Sequence, residues 1–200
     1  MKRVIIIGLV VVAMSSTGAV SAASIDKNIY DPYTRADYPK TFATWGAKGV
    51  KRINAMRIAA AEKAAASSEC DSVETADLSD NRSIPKTRIV IFVDCRNGKR
   101  FYIGENEVDL PAQSEETKMS GLSDRAALSR CEEALKGALR YPSTYDPDFG
   151  GKGVYRAPTT GNVVATIDFE AKNGFGNVIP QRAKCYFNGA GMEGPEIADR

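Results

Sequence analysis

The sequence contains no histidine, a single tryptophan and only four cysteines among its 200 residues. The absence of histidine excludes the serine and cysteine triads in which an imidazole acts as the general base. The cysteine spacings include no close Cys-x-x-Cys pair, and a zinc site is not expected without histidine. We therefore predict no metal and no cofactor, and the sequence assigns no catalytic residue.

The chain also has very little net charge. Of its 27 basic residues, Lys2 and Arg3 lie in the first few positions, and the remaining 25 equal the 25 acidic residues. A neutral chain gives no general electrostatic reason for binding to nucleic acid. We predict a protein without a nucleic-acid partner.

The sequence has no hydrophobic run long enough to be a good membrane span. Its longest apolar run lies near the N-terminus. Lys2 and Arg3 precede an apolar run from Val4 to Ala13, and small residues at Val20–Ala22 fit a cleavage site. These features predict a signal peptide over residues 1–22 and export to the periplasm or exterior of a bacterium. An uncleaved membrane anchor is the alternative, but the apolar run is short for a span. We expect no transmembrane anchor after cleavage.

Four cysteines in an exported chain predict two disulfides, which can be paired in three ways. We favour Cys70–Cys95 together with Cys131–Cys185. Each of these pairs joins one predicted helix to the strands that follow it.

The clearest secondary-structure signal lies between Asn162 and Phe187. Apolar residues alternate with polar ones on both sides of a glycine-rich bend, which is the period of strands with one buried face. Upstream, apolar residues recur at helical spacing: Leu128, Cys131, Leu135 and Ala138. We predict a helix that packs across a hairpin and is linked to it through Cys131 and Cys185.

The N-terminal half has a similar outline. A helical stripe over residues 47–67 comprises Val50, Ile53, Met56, Ala60 and Ala64. A polar segment, Cys70–Lys86, is predicted as a loop. Two strands follow, Arg88–Cys95 and Arg100–Ile103, of which the first has two apolar faces and should be central.

The predicted fold class is therefore α+β, with two helix-plus-antiparallel-sheet units that each contain one disulfide. The predicted segments are an extended arm at 23–46, an N-terminal unit at 47–104, a linker at 105–121, a C-terminal unit at 122–188 and a flexible tail at 189–200. The shared outline raises the hypothesis of an internal pseudo-repeat. Aromatic residues of the arm either dock it on the core or line a ligand surface: Tyr30, Tyr33, Tyr38, Phe42 and Trp45.

Basic residues cluster off the apolar stripe of the first helix: Lys48, Lys51, Arg52, Arg57 and Lys63. Such a face is either a solvated surface or a docking site for an anionic partner. The candidate partners are an envelope protein or an anionic component of the envelope.

Carboxylates are the remaining groups with catalytic capacity. Asp168 and Glu170 share the outward face of a predicted strand, and Asp94 lies in another. A carboxylate pair can hydrolyse glycosidic bonds, whereas a solvated sheet surface with local ion pairs needs no activity.

The C-terminal half resembles a small domain of exported bacterial proteins of uncharacterised function. That domain has a cysteine-containing helix, an ending of the form Leu-x-x-Pro-Ser, a strand closing on Ala-x-Asn-x-Phe-Gly, and a last strand with a second cysteine. The matching residues here are Cys131, Ala134, Leu139, Pro142, Ser143, Ala171, Asn173, Phe175, Gly176 and Cys185. The resemblance implies export and a disulfide but no activity.

Two functional hypotheses follow from the sequence. The first is a non-catalytic binding or accessory module of the bacterial cell envelope. The alternative is a carboxylate-dependent hydrolase of cell-wall or glycan substrates. Two facing carboxylates in a cleft would favour the enzyme, whereas dispersed carboxylates with an exposed aromatic patch would favour the binding module.

Overall fold

The computed structural model describes residues 22–200, so almost all of the predicted signal peptide lies outside the described residues. Two four-stranded sheets are each covered on one face by a helix. We call the two assemblies the N-terminal unit and the C-terminal unit. This α+β architecture confirms the predicted fold class. Among residues 22–200, no helix has the length and apolar character needed to span a bilayer.

The N-terminal unit consists of helix α1 and strands β1–β4. Strand β1 is Ser24–Ile25, α1 is Pro39–Ala65, β2 is Ser72–Leu78, β3 is Val90–Cys95 and β4 is Arg100–Gly104. The strands lie in the order β1-β2-β3-β4, with β1 parallel to β2 and the other pairs antiparallel. Strand β3 is therefore internal, as its two apolar faces predict.

The core of the N-terminal unit lies between α1 and one face of the sheet. All five residues of the predicted helical stripe are buried, and Ile53, Ala60 and Ala64 are completely inaccessible to solvent. They pack with side chains from the sheet such as Ile91 and Phe101. The core thus consists of side chains that recur every three to four residues along the helix and every two residues along the strands.

The arm preceding α1 is less extended than predicted. It contains a 3-10 helix at Lys27–Tyr30, and α1 already begins at Pro39, a residue favoured in the first helical turn. Helix α1 bends at Gly46, where φ is +69°. Ile29, Tyr33 and Trp45 are buried in the core, whereas Tyr30 and Tyr38 are about half exposed. The arm is therefore docked on the unit through some of its aromatic residues.

Side chains of the arm and of α1 cover the part of the β2 edge that β1 leaves unpaired. The Tyr33 hydroxyl accepts a hydrogen bond from the backbone N–H of Leu78, at 3.2 Å. The Arg57 Nε donates to the carbonyl oxygen of Ala76, at 2.7 Å, and its guanidinium lies 4.5 Å from the centre of the Tyr33 ring. These side chains satisfy main-chain groups that a neighbouring strand would otherwise bind.

The C-terminal unit consists of helix α3 and strands β5–β8. Helix α3 is Asp124–Ala138, β5 is Asp146–Arg156, β6 is Val163–Lys172, β7 is Val178–Asn188 and β8 is Gly191–Asp199. The sheet is an antiparallel meander in the order β5-β6-β7-β8. Ala127, Cys131 and Leu135 of α3 are buried against β6 and β7, while Ala138 of the predicted stripe is exposed.

A short helix connects the units. Helix α2, Glu115–Met119, begins after Ser114, whose side chain accepts a hydrogen bond from the backbone N–H of Thr117. The acidic, proline-containing composition predicts only a linker here. One of its acidic residues, Glu115, is nevertheless completely buried.

Both predicted disulfides are present. Cys70 is joined to Cys95 and Cys131 to Cys185, each with Cα atoms 5.6 Å apart, within the ordinary range for a disulfide. Two disulfides are typical of proteins in an oxidising extracellular or periplasmic compartment.

Two segments predicted to be irregular are strands. Ser72–Leu78 forms β2, although the polar segment Cys70–Lys86 suggests a loop. Gly191–Asp199 forms β8, although residues 189–200 suggest a flexible tail. Strand β8 is an edge strand, where a proline such as Pro195 is tolerated because one side of the backbone is not paired.

In both units a helix is followed by an antiparallel meander, of three strands in the N-terminal unit and four in the C-terminal unit, but their disulfides are not equivalent. Cys70 follows α1 and bonds to the end of β3, the second strand of its meander. Cys131 lies within α3 and bonds to β7, the third strand. The resemblance between the units is therefore architectural, and the covalent links do not repeat.

Candidate ligand-binding cleft between the two units

Two of the three carboxylates singled out from the sequence, Asp94 and Asp168, form ion pairs on the sheet surfaces. Asp94 forms a two-point pair with Arg100, at 2.5 and 2.6 Å. Asp168 forms a two-point pair with Arg182, at 2.6 and 2.8 Å. The two aspartates lie on different sheets, and neither of them lines the cleft at the junction of the units.

The C-terminal residue completes the pairing of Asp168. Arg200 Nη1 lies 2.8 Å from Asp168, and Arg200 Nη2 lies 2.6 Å from Asp148. Arg182 first, and then Arg200, lower the pKa of Asp168 to about 2. A carboxyl group with this pKa is ionised near neutral pH and cannot serve as a general acid there. Its neighbour Glu170 is exposed.

The predicted basic face of α1 is smaller than the sequence suggests. Arg57 points inward, where it bonds to the carbonyl oxygens of Ala76 and Asp31 and lies 3.2 Å from a carboxylate oxygen of Asp77. It therefore has to be removed from the candidate partner face. The helical period alone could not reveal this, because the acceptors come from the arm and from β2.

The other four basic residues differ in their accessibility. Arg52 is exposed but forms a two-point ion pair with Glu105. Lys63 is half-buried and donates to the carbonyl oxygen of Val108. Lys48 and Lys51 are exposed. The face thus retains two accessible lysines and one neutralised arginine.

A buried polar cluster lies instead at the junction of the units. The Glu115 side chain has no solvent exposure, and its Oε2 accepts hydrogen bonds from Arg82 Nη2 at 2.8 Å and from the Gly189 backbone N–H at 3.1 Å. Lys118 Nζ lies 3.7 Å from Glu115 Oε1. We call Arg82, Glu115, Lys118 and Gly189 the junction cluster.

The junction cluster links three separate parts of the chain. Arg82 belongs to the β2–β3 connection, Glu115 and Lys118 belong to α2, and Gly189 lies in the turn between β7 and β8. A side chain at position 189 would not fit, because its Cβ would lie 2.4 Å from Glu115 Oε1. Further contacts join α2 to the N-terminal unit, including an ion pair between Lys99 and Glu116.

A cleft of about 220 Å³ lies directly above the junction cluster. Arg82, Lys118 and Gly189 form part of its wall. The ring of Tyr102 in β4 contributes an aromatic surface, and the Arg82 guanidinium lies 3.5 Å from the centre of that ring. The remaining polar lining comprises Asn81, Arg88, Asn106, Glu107, Asn188 and Glu193.

Charges of both signs meet in and beneath this cleft. Three cationic side chains, Arg82, Arg88 and Lys118, are matched by the carboxylates of Glu107, Glu193 and the buried Glu115. Arg88 donates to the carbonyl oxygen of Arg82 at 2.9 Å, and Glu107 accepts from the Gly104 backbone N–H at 2.9 Å. These bonds use only part of the hydrogen-bonding capacity of either side chain.

A row of side chains leads from the cleft across the exposed face of the C-terminal sheet. Glu193 lies opposite Tyr186, Tyr186 lies opposite Val164, and Val164 lies opposite Tyr155. Directly paired residues of antiparallel strands share one face of the sheet. Tyr155 is 62 % exposed at the far end of the row. The row thus contains one exposed tyrosine, Tyr155, and one partly buried tyrosine, Tyr186, which are separated by Val164.

The sequence does not identify this cleft. Arg82, Glu115 and Gly189 are separated by dozens of residues, and each has an ordinary local explanation in a loop, a linker or a turn. One signal was available: Ser114 followed by acidic residues is typical of a helix N-terminus. That signal indicates α2 but not the burial of Glu115.

Comparisons with known proteins give no further guide to this site. No protein-family model, no curated protein and no solved structure matches the chain.

Proposed function

We propose that this protein is a non-catalytic binding module of the bacterial cell envelope, exported by a signal peptide in residues 1–22, and that the cleft above the junction cluster is its ligand site. The observation that supports this proposal is the cleft itself. Polar side chains from both units converge on it, and a buried ion pair fixes their positions. Junctions between structural units are common positions for ligand sites.

Export agrees with the two disulfides, which persist in an oxidising compartment. We also propose that the C-terminal half belongs to the small exported disulfide domain that it resembles in sequence. Neither proposal assigns an activity to the chain.

The alternative hypothesis, a carboxylate-dependent hydrolase, has less support. Such an enzyme needs one carboxyl group that retains a proton near neutral pH and a second carboxylate on the other side of the scissile bond. Asp94 and Asp168 are each paired with an arginine, and neither of them lines the cleft. The cleft itself is lined by two carboxylates, but Glu107 accepts a hydrogen bond from the Gly104 backbone N–H and Glu193 accepts one from Asn188 Nδ2. Both of these carboxylates therefore act as acceptors within the protein. We therefore keep the binding module as the proposed function.

The experiment is an affinity pull-down from an envelope extract of the source bacterium. The immobilised protein is residues 23–200, as wild type and as two double variants. The cleft variant carries Arg88→Glu and Asn106→Ala, both at exposed positions of the cleft wall. The control variant carries Lys48→Glu and Asn177→Ala, which make the same chemical changes at exposed positions outside the cleft.

We expect the wild type and the control variant to retain the same envelope components, and the cleft variant to lose at least one of them. Equal retention by all three proteins would contradict a ligand site in the cleft. If only the control variant lost an envelope component, the binding site would instead lie on the basic face of α1, where Lys48 is located. Thermal denaturation of all three proteins checks that the substitutions leave the fold intact.

A further inference from the structure

The chemistry of the cleft indicates a class of ligand. Resting on the function proposed above, we infer that the cleft binds one neutral sugar unit. We further infer that the row of Tyr186, Val164 and Tyr155 beside it, here called the tyrosine row, holds further units of a saccharide chain. Three features support this inference: the balance of charge, the mixture of donors and acceptors, and the row that leaves the cleft.

The charge balance disfavours a ligand with a net charge. Three cations and three carboxylates lie within and beneath the cleft, so an anion or a cation would meet groups of its own sign at short range. The buried Glu115 already neutralises part of the charge of Arg82 and Lys118. Inorganic phosphate, for example, would meet the carboxylates of Glu107 and Glu193 in the same cleft as the guanidinium of Arg88.

The hydrogen-bonding groups suit a ligand rich in hydroxyls. Each hydroxyl both donates and accepts, so it needs donors and acceptors side by side. Asn106 offers an amide group with both functions, Asn81 offers its amide N–H donors, Arg88 offers further N–H donors, and Glu107 and Glu193 offer acceptors. The Asn81 amide oxygen already accepts from Ser79, and the Asn188 amide is bonded to Ala190 and Glu193. The Asn106 side chain makes no hydrogen bond within the described residues that would compete with a ligand.

The small volume of the cleft and the sheet surface beside it suit a saccharide of which only the terminal unit enters the cleft. Its volume of about 220 Å³ is below the roughly 300–1,000 Å³ of sites that enclose drug-sized ligands. A longer ligand must therefore continue over the surface. From Glu193, the row crosses three strand spacings to Tyr155, a distance of about 14 Å at the usual strand separation.

Tyrosine suits such a row because its ring presents an apolar face and its hydroxyl a polar edge. Tyr155 is 62 % exposed. The Tyr186 hydroxyl is held by Glu196 at 2.9 Å, which fixes the orientation of its ring. The apolar C–H face of a sugar can pack on these rings while its hydroxyls remain hydrated.

The test is a titration of the ¹⁵N-labelled protein, residues 23–200, followed by NMR. The probes are N-acetylglucosamine, its β-1,4-linked tetramer, glucose and the β-1,4-linked glucose tetramer. Inorganic phosphate and glycylglycine serve as an anionic and a zwitterionic probe of similar small size. The reporters are the side-chain amide signals of Asn81, Asn106 and Asn188.

We expect at least one saccharide to shift these signals saturably, with the tetramer binding more tightly than its monomer. Asn106→Ala should weaken both forms about fivefold, the effect of one lost hydrogen bond, and Asn177→Ala should weaken neither. Tyr155→Ala should weaken the tetramer but leave the monomer unchanged.

The inference is overturned if none of the four saccharides shifts the three amide signals, or if phosphate or glycylglycine binds there more tightly than every saccharide. If monomer and tetramer bound with equal affinity, the tyrosine row would not be part of the binding site. In each case, a pull-down that still depends on Arg88 and Asn106 would preserve the proposed binding site and reject only the class of ligand.

Discussion

Arg82 and Glu115 form a buried ion pair, with Nη2 and Oε2 2.8 Å apart, that connects the N-terminal unit to the helix between the units. Glu115 has no solvent exposure and Arg82 very little, so the pair is shielded from water. The Gly189 N–H binds the same carboxylate oxygen from the C-terminal unit. One carboxylate therefore fixes both walls of the proposed ligand site.

We expect Glu115→Gln to destabilise the protein by about 3–5 kcal/mol, because it leaves Arg82 without its buried counter-charge. Urea denaturation measures this change in the free energy of unfolding. Glu116→Gln is the matched control: Glu116 is the next residue of the same helix, but its ion pair with Lys99 is partly exposed. That control should cost less than about 1 kcal/mol. Equal effects of the two substitutions would contradict a structural role for the junction cluster.

Gly189→Ala should be destabilising for a steric reason. The new methyl group would lie 2.4 Å from Glu115 Oε1 and 2.7 Å from the Lys118 side chain. Overpacking of this kind costs about 1–3 kcal/mol. Gly137→Ala is a suitable control, since its Cβ would meet nothing within 4 Å and alanine is favoured over glycine within a helix such as α3. A Gly189→Ala variant as stable as the wild type in urea would show that the junction is looser than described.

Loss of the Cys131–Cys185 disulfide should cost about 2–5 kcal/mol. Cys131→Ser, Cys185→Ser and the double variant should lower the melting temperature by similar amounts, because each removes the same bond. The measurement is differential scanning calorimetry. Additive losses in the double variant would contradict the pairing, and so would a Cys70–Cys131 peptide in non-reducing peptide mapping.

Arg57→Met should destabilise the protein by at least about 2 kcal/mol, because it leaves the carbonyl oxygens of Ala76 and Asp31 without their donor. Arg52→Met should cost less than about 1 kcal/mol, since Arg52 is exposed and its partner Glu105 is partly exposed. Urea denaturation of the two variants measures the difference. If both arginines behaved as surface residues, the original assignment of Arg57 to the basic face would be restored.

Asp168 predicts a specific dependence of stability on pH. Its pKa is about 2 in the folded protein and about 3.9 in an unfolded chain. A lowered folded-state pKa adds stability that is complete above about pH 4 and is lost as the pH falls towards 2. The deficit of Asp168→Asn relative to wild type should therefore be largest near neutral pH and shrink below pH 4.

Urea denaturation at pH 7, 5, 4 and 2.5 measures this deficit. Glu170→Gln is the control, because Glu170 lies on the same strand but is exposed. Its deficit should be small at every pH. A deficit for Asp168→Asn that stays constant from pH 7 to 2.5 would argue against the pairing with Arg182 and Arg200.

Local periodicity predicted the elements whose buried faces are regular. The apolar stripe around Ile53 predicted most of α1, and the alternation around Ile167 predicted β6. The apolar positions of Cys131 and Cys185 predicted the disulfide between them. In each case the residues that meet in the core are also those that repeat along the chain. The two-unit outline and both disulfides could therefore be predicted from the sequence.

The strands that were missed have irregular patterns. Strand β2 shifts register between Val73 and Thr75, and this bulge interrupts the alternation of its buried residues. Strand β8 contains Gly194 and Pro195, which usually indicate a turn. The pairing of β8 along β7 decides its conformation, and pairing is a tertiary effect.

The proposed ligand site could not be predicted from the sequence for a different reason. Glu115 looks like a solvated linker residue, because its only local neighbours are polar. Its burial depends on Arg82, which is 33 residues earlier, and on Gly189, which is 74 residues later. Long-range partners of this kind leave no periodic signal in the sequence.

The contacts of Tyr33 and Arg57 with β2 have a consequence for self-association. A free strand edge is a template on which a second molecule can add its own strand, which is how sheet proteins polymerise. Here the main-chain carbonyl of Ala76 and the N–H of Leu78, which β3 does not bind, are already bonded to side chains of the same molecule. Tyr33 of the arm and Arg57 of α1 thus occupy in advance the position on β2 that a strand of another copy would take.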